Sequence, residues 1–340
     1  MKKYLVWVIV IFCLGFSACN RKNSNKPSVN PSKVKQIQES MDIKIKRYEK
    51  ALNNIHIDSL KAGLVALQKD YYFFVGDNPG DSANVEQIRN YLADKRIKQL
   101  YLDVQKQYPD LSDMEKGFNE SFSRLKYYFP QANIPAIYTA ITGLYYEMPV
   151  MFYDSTLIIA LDMYLGKDYK LYKQLGVSVP QYIIRRFSKE YILPDCFSEM
   201  SYQYIKYKDI QGTLLDEMIL EGKRLLFTEA VLPELADSII FPYPQEKIQW
   251  VINNEAKIWG HLIEKKYLYS KDNIIIRKLV REAPFTSEFG NQSPGKVGAW
   301  IGWQICRSWI EKNPQKPIQD LMQEIDAQKI LAESKYKPKK

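Results

Sequence analysis

The sequence predicts an α+β domain, mostly helical with a small mixed sheet. Three observations carry this expectation. Hydrophobic residues make up 46% and charged residues 26% of the 340 residues, enough to bury a core, which excludes a disordered chain. Two β-branched apolar runs, Ile134 to Leu144 and Leu157 to Leu161, read as adjacent strands. Around them lie long segments with apolar residues at helical spacing. The 15 glycines and 17 prolines are too few for collagen-like or low-complexity character.

The N-terminus comes before the domain. Lys2 and Lys3 precede an apolar stretch, Tyr4 to Phe16, that is shorter than the ~20 residues of a transmembrane helix. Ser17 and Ala18 then lead into Cys19, the pattern of a bacterial lipoprotein signal. Residues 1–18 are the expected leader, and Cys19 is the expected site of diacylglycerol attachment, cleavage and acylation. Phe16 stands where Leu is commonest. Losing the leader lowers the net charge from +9 to +7. Acyl chains hold a protein on a bilayer through about 0.8 kcal/mol per buried CH2. The stretch 20–35 is polar and basic, rich in Asn, Ser and Pro, and reads as a flexible tether of at most ~55 Å. With Cys19 it forms a segment 19–40. A basic stretch after the cysteine favours a periplasm-facing protein, on either the inner or the outer membrane.

The body is expected as one domain over 41–333, followed by a frayed basic tail, 334–340. Ile43 and Ile45 alternate as a strand, and Asp58 to Phe74 reads as a helix. Val85 to Tyr108 and Asp113 to Tyr127 read as further helices. Tyr145 to Ser155 is expected as a connector between the two strands. Helices follow at Val179 to Lys189, Cys196 to Tyr207, Thr213 to Thr228 and Gln245 to Tyr267. Thr213 and Asp216 have capping-box spacing, and Pro244 opens the longest of the four. A Gly/Pro loop at 290–295 precedes a last helix, Gly298 to Glu311. With Cys13 lost and Cys19 acylated, Cys196 and Cys306 either pair in an oxidising compartment or stay as two buried thiols.

The chain has few of the residues from which active sites are built. His56 and His261 are the only histidines, which argues against a multi-histidine metal site. G-x-S-x-G, P-loop and G-x-G-x-x-G motifs are absent. No basic stripe interleaved with aromatics appears, so nucleic acid is not an expected partner. Acids such as Asp162, Glu199, Glu217 and Glu221 are candidates for carboxylate chemistry, but most such residues are caps or solvated charges.

Segments YLDVQKQYPDL (101–111), KYYFPQANIPAIYTAITG (126–143), LIIALDMYLGKDY (157–169), the 180–194 run with QYIIRRF, DEMILEGKRLLF (216–227) and APFTSEFGNQSPGKVGAWIGWQI (283–305) resemble the gliding motility lipoprotein B family. The resemblance covers most of the body and implies an envelope lipoprotein of the gliding apparatus, linked to adhesin secretion, with no cofactor and no known reaction. The order of elements also resembles a gluzincin metalloprotease scaffold. Such enzymes place H-E-x-x-H on one helix and a third ligand, Glu, on the next. Here the frame is Ser198-Glu199-Met200-Ser201-Tyr202, followed by Glu221. Ser198 and Tyr202 stand where the histidines would be, and neutral hydroxyls are poor zinc ligands. The resemblance therefore implies a zincin-like relic cleft of Glu199, Tyr202, Glu221 and Lys223, without metal and without catalysis. Lys223 either supplies a cation in the metal's place or is a surface lysine. Trp300 and Trp303 either line that cleft or belong to the core. The alternative is an envelope hydrolase, working through non-standard metal ligands or through carboxylates such as Glu199.

Overall fold

A computed structural model of the chain describes residues 27–173, 179–207 and 212–338. The expected leader 1–18, Cys19 and the first part of the tether lie outside the described residues.

A four-stranded mixed sheet, ordered β1-β2-β4-β3, organises the N-terminal half. It consists of β1 (Ile45–Arg47), β2 (Ala136–Ala140), β3 (Val150–Tyr153) and β4 (Thr156–Ala160). β1, β2 and β4 run parallel, with Ile45 opposite Ile137 and Ile137 opposite Leu157. β3 is antiparallel to β4, with Tyr153 opposite Thr156. The expected connector 145–155 thus contains an edge strand. It closes on a two-residue turn in which Asp154 (φ 44°) and Ser155 (φ 60°) both adopt left-handed backbone. That geometry usually recruits Asn-Gly, so Asp-Ser gives little warning of a hairpin.

Helices surround the sheet. They are α1 (Pro31–Glu39), α2 (Tyr48–Asn53), α3 (Leu60–Val75), α4 (Ser82–Ala93), α5 (Lys95–Gln107), α6 (Ser112–Tyr128), α7 (Gln181–Ile184) and α8 (Ile192–Met200). They continue as α9 (Leu214–Val231), α10 (Asp237–Ile240), α11 (Gln245–Asn253), α12 (Glu255–Glu264), α13 (Asn273–Val280), α14 (Val297–Lys312), α15 (Ile318–Gln323) and α16 (Ala327–Ser334).

Several expectations need correction. The tether is not extended up to residue 40: the Asn30 side chain caps α1 by accepting from the Ser32 and Lys33 amides, and α1 packs on α6. The helix expected over 85–108 breaks at Asp94, whose extended backbone lets its carboxylate cap α5 through the Arg96 and Ile97 amides. Those two amides hold its carboxyl below the usual range. The helix expected over 245–267 breaks at Asn254 (φ −111°, ψ 9°). The tail is docked as far as Tyr336, whose hydroxyl donates to Glu255 at 2.9 Å and whose ring meets Trp259 edge-on. The helix expected over 196–207 runs instead over Ile192–Met200, and Pro194 falls in its first turn, where its missing N–H costs nothing.

The capping box is present: the Thr213 hydroxyl accepts from the Asp216 amide, and Asp216 accepts from the Thr213 amide at 2.8 Å. The helix it opens, α9, crosses α14 at the centre of the core. A methyl group added at Gly302 would lie 1.7 Å from the Met218 carbonyl oxygen, and one at Gly222 would lie 2.3 Å from the Gly302 carbonyl carbon. Two glycines facing each other thus let the backbones touch. Trp300 and Trp303 are core residues, each almost wholly buried. The Trp303 indole and the Arg307 guanidinium both donate to Glu229, and Arg307 also binds Asp237. Cys196 and Cys306 are free thiols, both buried. No helix of the described residues is long and apolar enough to cross a membrane.

Candidate functional site

Between α8, α9 and α10 lies a charged cavity of about 270 Å3. Its lining includes Arg186, Asp195, Ser198, Glu221, Arg224, Arg281, Glu282 and Lys296. Larger depressions, about 540 Å3 beside Gly166 and Tyr191, about 900 Å3 beside Pro27 and about 480 Å3 beside Val65, are more open and hold no comparable cluster of paired charges.

Helix geometry decides which side chains meet here. At about 100° per residue, Glu221 and Arg224 fall on one face of α9, whereas Lys223 falls about 200° from Glu221. The Arg224 guanidinium reaches across to α8. Its Nη1 donates to both Glu221 oxygens, at 2.9 and 3.2 Å, and its Nη2 donates to the Ser198 hydroxyl at 3.0 Å. Its carbon centre lies 4.3 Å over the Tyr202 ring, a cation–π contact. One arginine therefore holds Ser198, Tyr202 and Glu221 together.

Of the four residues expected in the cleft, Glu221 and Tyr202 meet through Arg224. Tyr202 sits just past the end of α8, with its ring half in solvent. Glu199 is adjacent but does not line the cavity. Partial burial pushes its carboxyl up, and Arg224 pulls it back in part. Lys223 does not belong to the group. It points to the opposite side of α9, 3% exposed, and donates to the Glu324 carbonyl. Burial lowers its ammonium pKa to about 8. It is neither a surface lysine nor the cation of the cleft.

A second set of charges forms the far wall. Arg186 donates to Asp195 at 2.7 Å and lies 3.6 Å from Glu282. Asp195 also accepts from the Tyr164 hydroxyl at 3.0 Å. Lys296, in left-handed backbone at the head of α14, binds Glu282. Burial pushes the Glu282 carboxyl up, but Lys296 and Arg186 outweigh it and hold the group below the usual range. Arg281 sits on the rim and donates to Glu217 at 3.2 Å. None of these cations stands out in the sequence. The i,i+3 spacing of Glu221 and Arg224 is the one local signal that could have found the central arginine.

The donor set does not suit a metal ion. The three side chains gathered around Arg224 are a hydroxyl, a phenol ring and a carboxylate already engaged by the guanidinium. Among the described residues no three His, Cys, Asp or Glu side chains converge as a metal site. His261 pairs with Glu288 at 3.2 Å and His56 with Asp58 at 3.4 Å, and neither lines the cavity.

Compared with known proteins, the chain matches the family model described as gliding motility protein GldB over residues 27–338. No curated protein and no solved structure matches it.

Proposed function

Since the chain belongs to the gliding motility protein GldB family, we propose that it serves gliding as a lipid-anchored, periplasm-facing component that binds a partner and carries out no reaction. The partner belongs to the gliding and adhesin-secretion apparatus. The Cys19 signal supports the anchor: a short apolar leader, small residues and an abrupt polar change meet at one cysteine. A strain carrying Cys19→Ala is expected to lose gliding, and normal gliding in that strain would refute the anchor.

The observation that carries the non-catalytic reading is the position of Arg224. Its guanidinium contacts Ser198, Tyr202 and Glu221 at once, so on the zincin-like reading a cation built into the chain takes the metal's place. The order of elements, strands first, then α8 with the frame and α9 with the glutamate, supports the zincin-like scaffold. Elemental analysis of the chain purified without chelator is expected to find no stoichiometric zinc. One zinc per chain would overturn the reading. The converse experiment restores the ligands: Ser198→His and Tyr202→His combined with Arg224→Ala is expected to create a zinc site with Glu221.

One observation favours the hydrolase alternative. Glu199 is a half-buried carboxylate pushed up by its surroundings beside a cavity, a common setting for a general base. If that role is real, Glu199→Gln abolishes gliding while leaving the fold and partner capture intact. On the binding reading, gliding persists.

A further inference from the structure

We propose that the depression beside Pro27 seats the headgroup of an anionic phospholipid and so lays this face of the body on the bilayer. The proposal rests on the reading of Cys19 as a lipid anchor. The depression, about 900 Å3, lies where α1 and the C-terminal end of α6 meet the connection from α14 to α15. Chain length brings it to the membrane. Pro27 comes eight residues after Cys19, a reach of at most about 28 Å. A body of this size is about 50 Å across. The side opposite Pro27 therefore cannot touch the bilayer that holds the acyl chains, whereas the face around α1 can.

Charge suits the same surface. The lining holds three lysines, Lys33, Lys126 and Lys316, and one acid, Glu311. Glu311 pairs with Lys312 at 3.2 Å and Lys316 with Glu333 at 2.8 Å, so both are already neutralised. Lys33 and Lys126 remain, and neither ammonium has an ion-pair partner among the described residues. The positive surplus thus survives after every pair is counted. The chain leading to Pro27, residues 20–26, adds Arg21, Lys22 and Lys26 and no acid. Each lysine held near an anionic membrane surface favours the bound state about fivefold. A hydroxyl in the same lining points to a specific acceptor. The Tyr128 side chain is 7% exposed, and its hydroxyl is buried with no hydrogen-bond partner among the described residues. Buried donors are almost always satisfied. A phosphodiester answers both needs, as a singly charged anion for the two lysines and an acceptor for the phenol. Tyr127 and Ile37 give the lining the amphipathic and apolar surface that suits headgroup depth.

The test uses the chain expressed with its leader, purified from membranes in detergent and inserted into preformed vesicles. One set of vesicles is phosphatidylcholine; in the other, phosphatidylglycerol replaces a third of it. Lysines are acetylated with a water-soluble reagent, and peptide mass spectrometry reads their labelling rates. Lys33 and Lys126 are expected to label about fivefold more slowly on the anionic vesicles. Lys167, exposed beside the separate depression at Gly166, is expected to label equally on both. Tyr128→Phe removes only the unpartnered hydroxyl and is expected to reduce the protection at least about twofold, the scale of one hydrogen bond. Equal labelling of Lys33 and Lys126 on both vesicles, equal protection of Lys167, or protection unaltered by Tyr128→Phe would overturn the proposal. Protection that is already present in detergent and rises with chain concentration identifies a second copy as the occupant, and overturns it too. The intact mass of the same preparation reports acylation at Cys19. An acylated chain whose labelling ignores lipid charge sinks only the headgroup seat, whereas a chain without acyl groups sinks the anchor beneath it.

Discussion

Replacing Arg224 with Met keeps most of the side-chain volume and removes the charge that joins α8 to α9. The wild-type guanidinium makes two hydrogen bonds to Glu221 and one to Ser198, and covers the Tyr202 ring. The Glu221 side chain is 11% exposed and that of Arg224 17%. Removing one partner of a buried pair costs about 3–5 kcal/mol, because the other charge is left stranded. Residual exposure places this pair at the low end, about 3 kcal/mol. Glu221→Gln alone strands the arginine in the same way. The double variant strands neither, so its cost is expected to fall about 2 kcal/mol short of the sum of the two single costs. Urea unfolding followed by tryptophan fluorescence reads these differences as midpoint shifts at constant slope. Additive single costs, or a cost for Arg224→Met below about 1 kcal/mol, would show that the guanidinium does not hold the cavity together.

Three further outcomes follow from the packing. Gly302→Ala forces a methyl group against the Met218 backbone and is expected to cost about 3 kcal/mol, while Gly260→Ala, in α12 with nothing within 4 Å, is expected to gain about 0.5–1 kcal/mol; thermal melts separate the two. Arg307→Met leaves Glu229 and Asp237 without their shared guanidinium and is expected to cost about 3–5 kcal/mol; Arg307→Lys rescues little, since an ammonium cannot reproduce the four contacts or the stacking 3.7 Å over Trp303. Lys223 is harder to charge in the fold than in the unfolded chain, so unfolding takes up a proton between its folded pKa of about 8 and its ordinary value of 10.5. Stability contributed at this site therefore rises with pH across that window, by up to about 3 kcal/mol. Lys223→Met is expected to stabilise the chain most at pH 7 and progressively less towards pH 10, and a difference independent of pH would refute the burial account.

How much of this was legible in the sequence depended on how local each cause was. The β2 and β4 runs announce themselves through β-branched residues, and their pairing follows from mutual burial. Thr213 and Asp216 specify the start of α9 within four residues. The breaks at Asp94 and Asn254 were hidden because apolar periodicity continues across them; a single residue with extended or bridge-region backbone interrupts each helix. β3 was hidden because its strand character depends on pairing with β4. The helix α1 was hidden by composition, since a polar Asn/Ser/Pro stretch folds here only by laying Val34 against α6. Around the cavity, the Ser198–Tyr202 frame and Glu221 were legible only through the resemblance to a gluzincin scaffold, and Tyr202 and Glu221 do meet through Arg224. Choosing Lys223 over Arg224 was an error of helical phase, and the distant cations Arg186 and Lys296 arrive through tertiary folding alone.

The contact between Gly222 and Gly302 has a dynamic consequence for the cavity. Gly222 directly follows Glu221, so the point where α9 is pressed most tightly against α14 lies one residue from the pair that organises the cavity. Backbone amides near 221–224 therefore open only when the two helices separate, and that separation dismantles the core. Their hydrogen-exchange protection should equal the global unfolding free energy. The α9 wall of the cavity is thus fixed for as long as the fold lasts, so a ligand that enters must leave exchange at residues 221–224 unchanged.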